Sequence, residues 1–171
     1  MTSLLRGLIV AALAALLTSA CNVSPPPDQA QKDPLVGAWR AQVRFNSGAL
    51  MEMRDLQFMY VFNAGGTMTE SSNYDGSPPG PPAYGIWRKT APREFEATYE
   101  FYNTKPPATF DEITKGGGWL PNGRGVLSEN IKVSDDGSSF QSTITYTPYD
   151  QAGNRVDGGG SGEAVAARMT F

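Results

Sequence analysis

Two glutamates carry most of the chemistry that this sequence offers. Residues 67–73 and 125–133 read as strands, the second with Leu127, Ile131 and Val133 on one face at the period of a half-buried strand. If Met68 points inward, so does Glu70; if Leu127 and Ile131 do, so does Glu129. A carboxylate inside a protein is costly unless paired, so each glutamate requires an arginine, a tyrosine or a bound ligand. The same parity places Phe58, Tyr60, Tyr99, Phe101 and Tyr146 on inward faces. Three readings stay open. Glu70 and Glu129 orient the polar group of a ligand among those aromatic rings, or they form buried ion pairs, or they lie outside after a one-residue slip of register.

Other reactive groups are scarce. The chain has no histidine, which removes the commonest acid–base group and metal ligand. Its one cysteine is Cys21, so no internal disulfide is possible. Gly116-Gly117-Gly118 runs into Trp119-Leu120-Pro121 and not into Lys-Ser and a helix, which excludes a phosphate loop. The stretch 150–157 lacks calcium-loop spacing. No catalytic, cofactor or metal site is assigned. The net charge of −3, from 14 basic and 17 acidic residues, argues against nucleic acid and against a polybasic grip on lipid.

The elements that position these residues are strands. Asp33-Pro34-Leu35-Val36 has the form of a short helical turn, with Asp as cap and Pro at the first helical position. The first strand then alternates Trp39, Ala41, Val43 and Phe45 with Arg40, Gln42 and Arg44. Others are expected at about 54–63, 67–73, 84–89, from residue 95 to 101, at 125–133, from 140 to 146, and at 162–171. Trp87 lies on the opposite face from Tyr84 and Ile86. Such a series of short, sequential, half-apolar strands predicts an all-β fold, an eight-stranded antiparallel up-and-down barrel over 35–171. Loop lengths support it. The connections at 63–66, 90–92 and 134–137 are short and fall at one end; those at 46–53, 73–83, 102–124 and 148–161 are long and fall at the other. The last strand then descends beside the first and brings Arg168 to the floor near Trp39.

Gly37-Ala38-Trp39 after a short turn, with Arg168 in the last strand, resembles the lipocalin (calycin) barrels. That resemblance implies that Arg168 packs across Trp39 and seals the floor, with Gly37, Trp39 and Arg168 as structural residues. At the other terminus, residues 8–17 form an apolar run of the length of a signal-peptide core and too short to span a bilayer. Leu17-Thr18-Ser19-Ala20-Cys21 resembles the lipobox of bacterial lipoproteins. It implies a signal peptide over 1–20, fatty acylation (palmitate among the chains) on Cys21, and a membrane anchor. By resemblance to lipoprotein sorting, Asn22 after the cysteine implies the outer membrane, facing the periplasm. Residues 21–34, with Pro25-Pro26-Pro27, form a tether.

The expected function is a lipid-anchored binding protein for a small apolar or amphipathic ligand that enters at the long-loop end. The first alternative is an envelope interaction protein or hydrolase inhibitor that uses the long loops, with Phe110 and Trp119 as contacts. Another is a barrel cyclase or dehydratase that uses Glu and Tyr as acid and base. An integral outer-membrane barrel is disfavoured, since Thr69-Glu70-Ser71 gives the third strand no lipid face.

Overall fold

A computed structural model describes residues 33–74, 82–111 and 118–171. The expected signal peptide, Cys21 and the tether lie outside the described residues, apart from the last two tether positions. The strands are β1 (Gly37–Phe45), β2 (Gln57–Phe62), β3 (Thr67–Ser72), β4 (Ala83–Ala91), β5 (Glu94–Lys105), β6 (Leu120–Val133), β7 (Ser139–Tyr149) and β8 (Gly160–Arg168), with a 3-10 helix at Ala49–Glu52. Each pairs with its neighbours in sequence order, and β8 returns to β1, so the sheet closes as an eight-stranded antiparallel barrel. Closure leaves no free edge within the barrel itself to template association.

The alternation of the sequence becomes the inside and outside of this barrel. Trp39, Ala41, Val43 and Phe45 of β1 are buried, as are Phe58, Tyr60 and Phe62 of β2. On β4, Ala83 and Trp87 are buried, while Tyr84 and Ile86 face out. Arg40, Gln42 and Arg44 on β1, and Ser128, Asn130 and Lys132 on β6, are exposed. The apolar face is therefore the inner one, the inverse of a barrel that meets lipid along its outside.

Several boundaries differ from the sequence reading. β2 starts at Gln57 and not near Arg54, because Asp55 has a positive φ of 54° that breaks the strand. The segment 33–36 is a single turn closed by Val36 N–H to the Asp33 carbonyl (2.9 Å), and not a helix start. Asp33 does not cap it, since its carboxylate pairs with Lys89 Nζ at 2.6 Å. The largest change concerns 102–124. β5 and β6 continue their pairing beyond the barrel rim as far as Lys105 and Leu120, with a bulge between Tyr102 and Thr104. Pro121, Gly123 and Gly125 interrupt the apolar alternation there, which is why the sequence reads as loop.

The floor is built around Arg168. Its guanidinium carbon lies 4.1 Å from the centre of the Trp39 ring. Nε donates to the Gly137 carbonyl (2.8 Å) and Nη1 to that of Val36 (2.9 Å). Nη2 donates to the Pro34 carbonyl. One side chain thus ties the entry turn, the β6–β7 turn and the first strand together. Trp39 in turn donates Nε1–H to the Leu35 carbonyl at 2.8 Å.

Gly37 makes this possible. Its φ is 136°, and a Cβ there would lie 2.7 Å from Arg168 Nη1. Gly37→Ala is expected to cost roughly 1–3 kcal/mol, from backbone strain and displacement of the guanidinium. Urea unfolding measures this, and an unchanged midpoint would show that the glycine is incidental.

Candidate functional site

The barrel interior has two halves of different character. The lower half is filled by aromatic side chains in edge-on contact, among them Trp39–Phe140 (centroids 5.0 Å apart) and Trp87–Phe95 (5.6 Å). Tyr60 meets Tyr99 edge-on at 6.1 Å. Rings at such spacings pack as a solid core and leave no room for a guest. Above them, towards the long-loop end, lies an open cavity of about 1030 Å³.

The cavity wall draws on most of the barrel. Phe58, Leu127, Phe101 and Tyr146 supply apolar surface from β2, β6, β5 and β7, and Leu50 and Met53 lean over from the segment before β2. Phe101 and Tyr146 stack at 6.1 Å with planes 12° apart. Gly125 permits that stack, since a Cβ there would meet Phe101 Cζ at 2.4 Å and Tyr146 Cε2 at 2.7 Å. Asn103, Asn122 and Asp150 add polar atoms to the lining.

Both glutamates point inward, as their parity with Met68 and Leu127 predicts, but they do different things. Glu129 lies in the lower half, 2 % exposed. It accepts hydrogen bonds from Tyr99 Oη (2.9 Å), Tyr60 Oη (3.4 Å) and Ser142 Oγ. Three hydroxyl donors stabilise its anion, yet burial outweighs them and raises its pKa from 4.5 to about 7. No arginine or lysine pairs with it among the described residues, so a buried network of hydroxyl groups stands where an ion pair was the alternative.

Glu70 lies on the cavity wall and is 5 % exposed. Its Oε1 is shielded from solvent and has no hydrogen-bond partner among the described residues. Burial, followed by the field of Glu129, raises its pKa from 4.5 to about 8. With three hydroxyl donors, Glu129 is better placed to carry negative charge than Glu70, whose Oε1 has none.

Of the residues expected to contact a ligand, Glu70, Phe58, Phe101 and Tyr146 line the cavity. Tyr60, Tyr99 and Glu129 do not; they lie fully enclosed beneath it and are joined to one another. Ser142, whose parity with Phe140 and Ile144 turns it inward, belongs to this network though the sequence gives it no site role. Leu50, Met53, Ala83 and Asn103 also line the cavity and had no signal, being in a connection, small, or polar beside a bulge.

Phe110 and Trp119 are 76 % and 40 % exposed at the end of the β5–β6 hairpin. Comparison of the sequence with protein-family models and with curated proteins finds no match.

Proposed function

We propose that the protein is a lipid-anchored barrel, similar to the lipocalins, that binds one small amphipathic molecule in its open upper half. The observation that carries this reading is a buried carboxyl with an unmet hydrogen bond on the wall of a cavity of ligand size. Unpaired buried polar groups are costly, and a fold tolerates one where a ligand satisfies it. Trp39 beneath Arg168, with Gly37 cleared for it, adds the closed floor that a one-mouthed container needs. The lipobox-like residues 17–21 support acylation at Cys21 and a place in the bacterial envelope, on the outer membrane and facing the periplasm. The enclosure of Glu129, Tyr60 and Tyr99 favours binding over a Glu/Tyr cyclase or dehydratase, which would have only Glu70 of the two carboxyls in reach of a substrate.

The purified full-length chain should take up a neutral solvatochromic dye such as Nile red in equimolar amount. Ala83, on the wall and paired with Glu70 across β3–β4, is the place to block it. Ala83→Trp is expected to lower dye affinity at least about ten-fold while circular dichroism stays that of the barrel, since an indole occupies volume that the guest needs. Absent dye binding, or binding indifferent to the indole, would overturn the container reading. The exposed Tyr102, Phe110 and Trp119 of the β5–β6 hairpin would then favour a role in protein contact.

A further inference from the structure

The charges around the cavity are of one sign. Its charged wall residues are Glu70 and Asp150, with no lysine or arginine among the described residues that line it. Asp150 is already engaged, accepting from Asn154 N (2.8 Å) and Asn154 Nδ2 (3.0 Å) within its own turn. Arg124, near the rim, does not line the cavity: its guanidinium lies 4.7 Å from the centre of the Tyr149 ring, and its Nε pairs with Glu100 at 3.1 Å without forming a hydrogen bond. No cation among the described wall residues would pair with the carboxylate of a fatty acid or a phosphate head group. Glu70, by contrast, has an acceptor that no described protein group serves.

The groups that face Glu70 sharpen the point. From β6 comes Glu129; from β2 and β5 come Tyr60 and Tyr99, whose pKa values stand well above the ordinary 10.0. All are neutral or negative, and both hydroxyl groups already bond to Glu129. Around Glu70 the site thus supplies an unserved acceptor and negative potential, and leaves a positive charge to be brought from outside.

We propose that the cavity selects amphipathic amines, with the ammonium at Glu70 and the alkyl or aryl tail against Phe58, Phe101, Leu127 and Tyr146. This rests on the container reading and goes further by naming the chemical class of the guest. An ammonium offers three donors and offsets the charge that burial otherwise suppresses. Glu70 then ionises in the complex, so binding of an already protonated amine releases a proton.

The test is displacement of Nile red from the full-length chain by decylamine, decanol and decanoate, each below its micelle concentration, at about pH 7. Decylamine is expected to compete at least about ten-fold more tightly than decanol, and decanoate more weakly than either, since a charge-assisted bond exceeds a neutral one by that order. Glu70→Gln should abolish the preference for the amine over the alcohol. On the wild-type chain, calorimetry in buffers of different ionisation enthalpy should record release of about one proton with decylamine and none with decanol. That second readout does not depend on the variant folding. Equal affinity for amine and alcohol, absent proton release, or a preference that survives Glu70→Gln would overturn the amine assignment while the container reading stands. Failure of all three compounds and of the dye would overturn both.

Discussion

The protein is expected to lose stability as the pH rises from about 5 to about 9, and Glu70→Gln is expected to remove most of that loss. The cause is the carboxyl pair inside the barrel. Both folded pKa values are raised, Glu70 to about 8 and Glu129 to about 7, against 4.5 for the free side chain. Between these values and the ordinary one, the folded state binds more protons than the unfolded chain. The stabilisation is therefore complete below the unfolded pKa and is lost as pH climbs through the folded values. Each pKa unit corresponds to about 1.4 kcal/mol, so Glu70 alone accounts for a loss on the order of 4 kcal/mol.

The exposed acids act in a different window. Asp136 is held down to about 2 by bonds from Ser134 and Ser138, and Asp150 is lowered by Asn154. Their contributions are present above the ordinary aspartate pKa and fade only as the pH falls below it, so they leave the interval from 5 to 9 untouched. Urea unfolding at intervals across that range gives the curve directly. In Glu70→Gln the remaining fall should be that of Glu129 and end near its own pKa of about 7. A flat or rising wild-type curve would mean that the carboxyls are paired or hydrated in the folded protein, and the unmet acceptor on the cavity wall would lose its meaning.

How far this site could be read from the sequence follows from what a strand records. Alternation fixes which side of the sheet a residue faces, because successive side chains point to opposite faces. Glu70 and Glu129 were legible as interior residues for that reason, through Met68 and Leu127. Alternation says nothing of height along the barrel axis. Height depends on how far each strand is staggered against the next, a property of the closed cylinder and not of any one segment. Strand direction puts Tyr60 and Tyr99 nearer the floor turns than Phe58 and Phe101 of the same strands, but that the packed half ends and the cavity begins between them depends on that stagger.

The same limit explains the hairpin. Loop parity correctly places all long connections at one end, but the 102–124 stretch contains strand as well as turn. Its strand character comes from cross-strand partners, Tyr102 with Arg124 and Thr104 with Pro121, which no local pattern announces. Trp87 is the opposite case. Its two neighbours Tyr84 and Ile86 left the face of its strand undecided, and the choice was made by hydrogen bonds from its indole nitrogen to the Asn63 (3.0 Å) and Thr67 (3.2 Å) carbonyls.

Removing either side of the floor contact should unfold the barrel more readily and leave the cavity intact. Trp39→Ala empties a fully buried position and frees the Leu35 carbonyl, a loss of about 4–5 kcal/mol. Arg168→Ala gives up the contact with the indole and leaves the Pro34, Val36 and Gly137 carbonyls without their donor, about 3 kcal/mol in all. Arg168→Lys restores little, because one ammonium cannot reach three divergent carbonyls and lie flat on a ring. The two residues touch, so the double variant should lose less than the sum, by about 1–2 kcal/mol. That coupling distinguishes a shared seal from two independent core positions. Trp39 and Arg168 meet at the end of the barrel opposite the cavity, paired in register across β1 and β8. Dye affinity, measured well below the unfolding midpoint of each variant, should therefore match the wild type. Additive losses, or an Arg168→Ala cost below about 1 kcal/mol, would show that the guanidinium merely rests on the floor. A fall in dye affinity without unfolding would show that floor and mouth are mechanically linked, and the division of the barrel into a packed half and a binding half would fail.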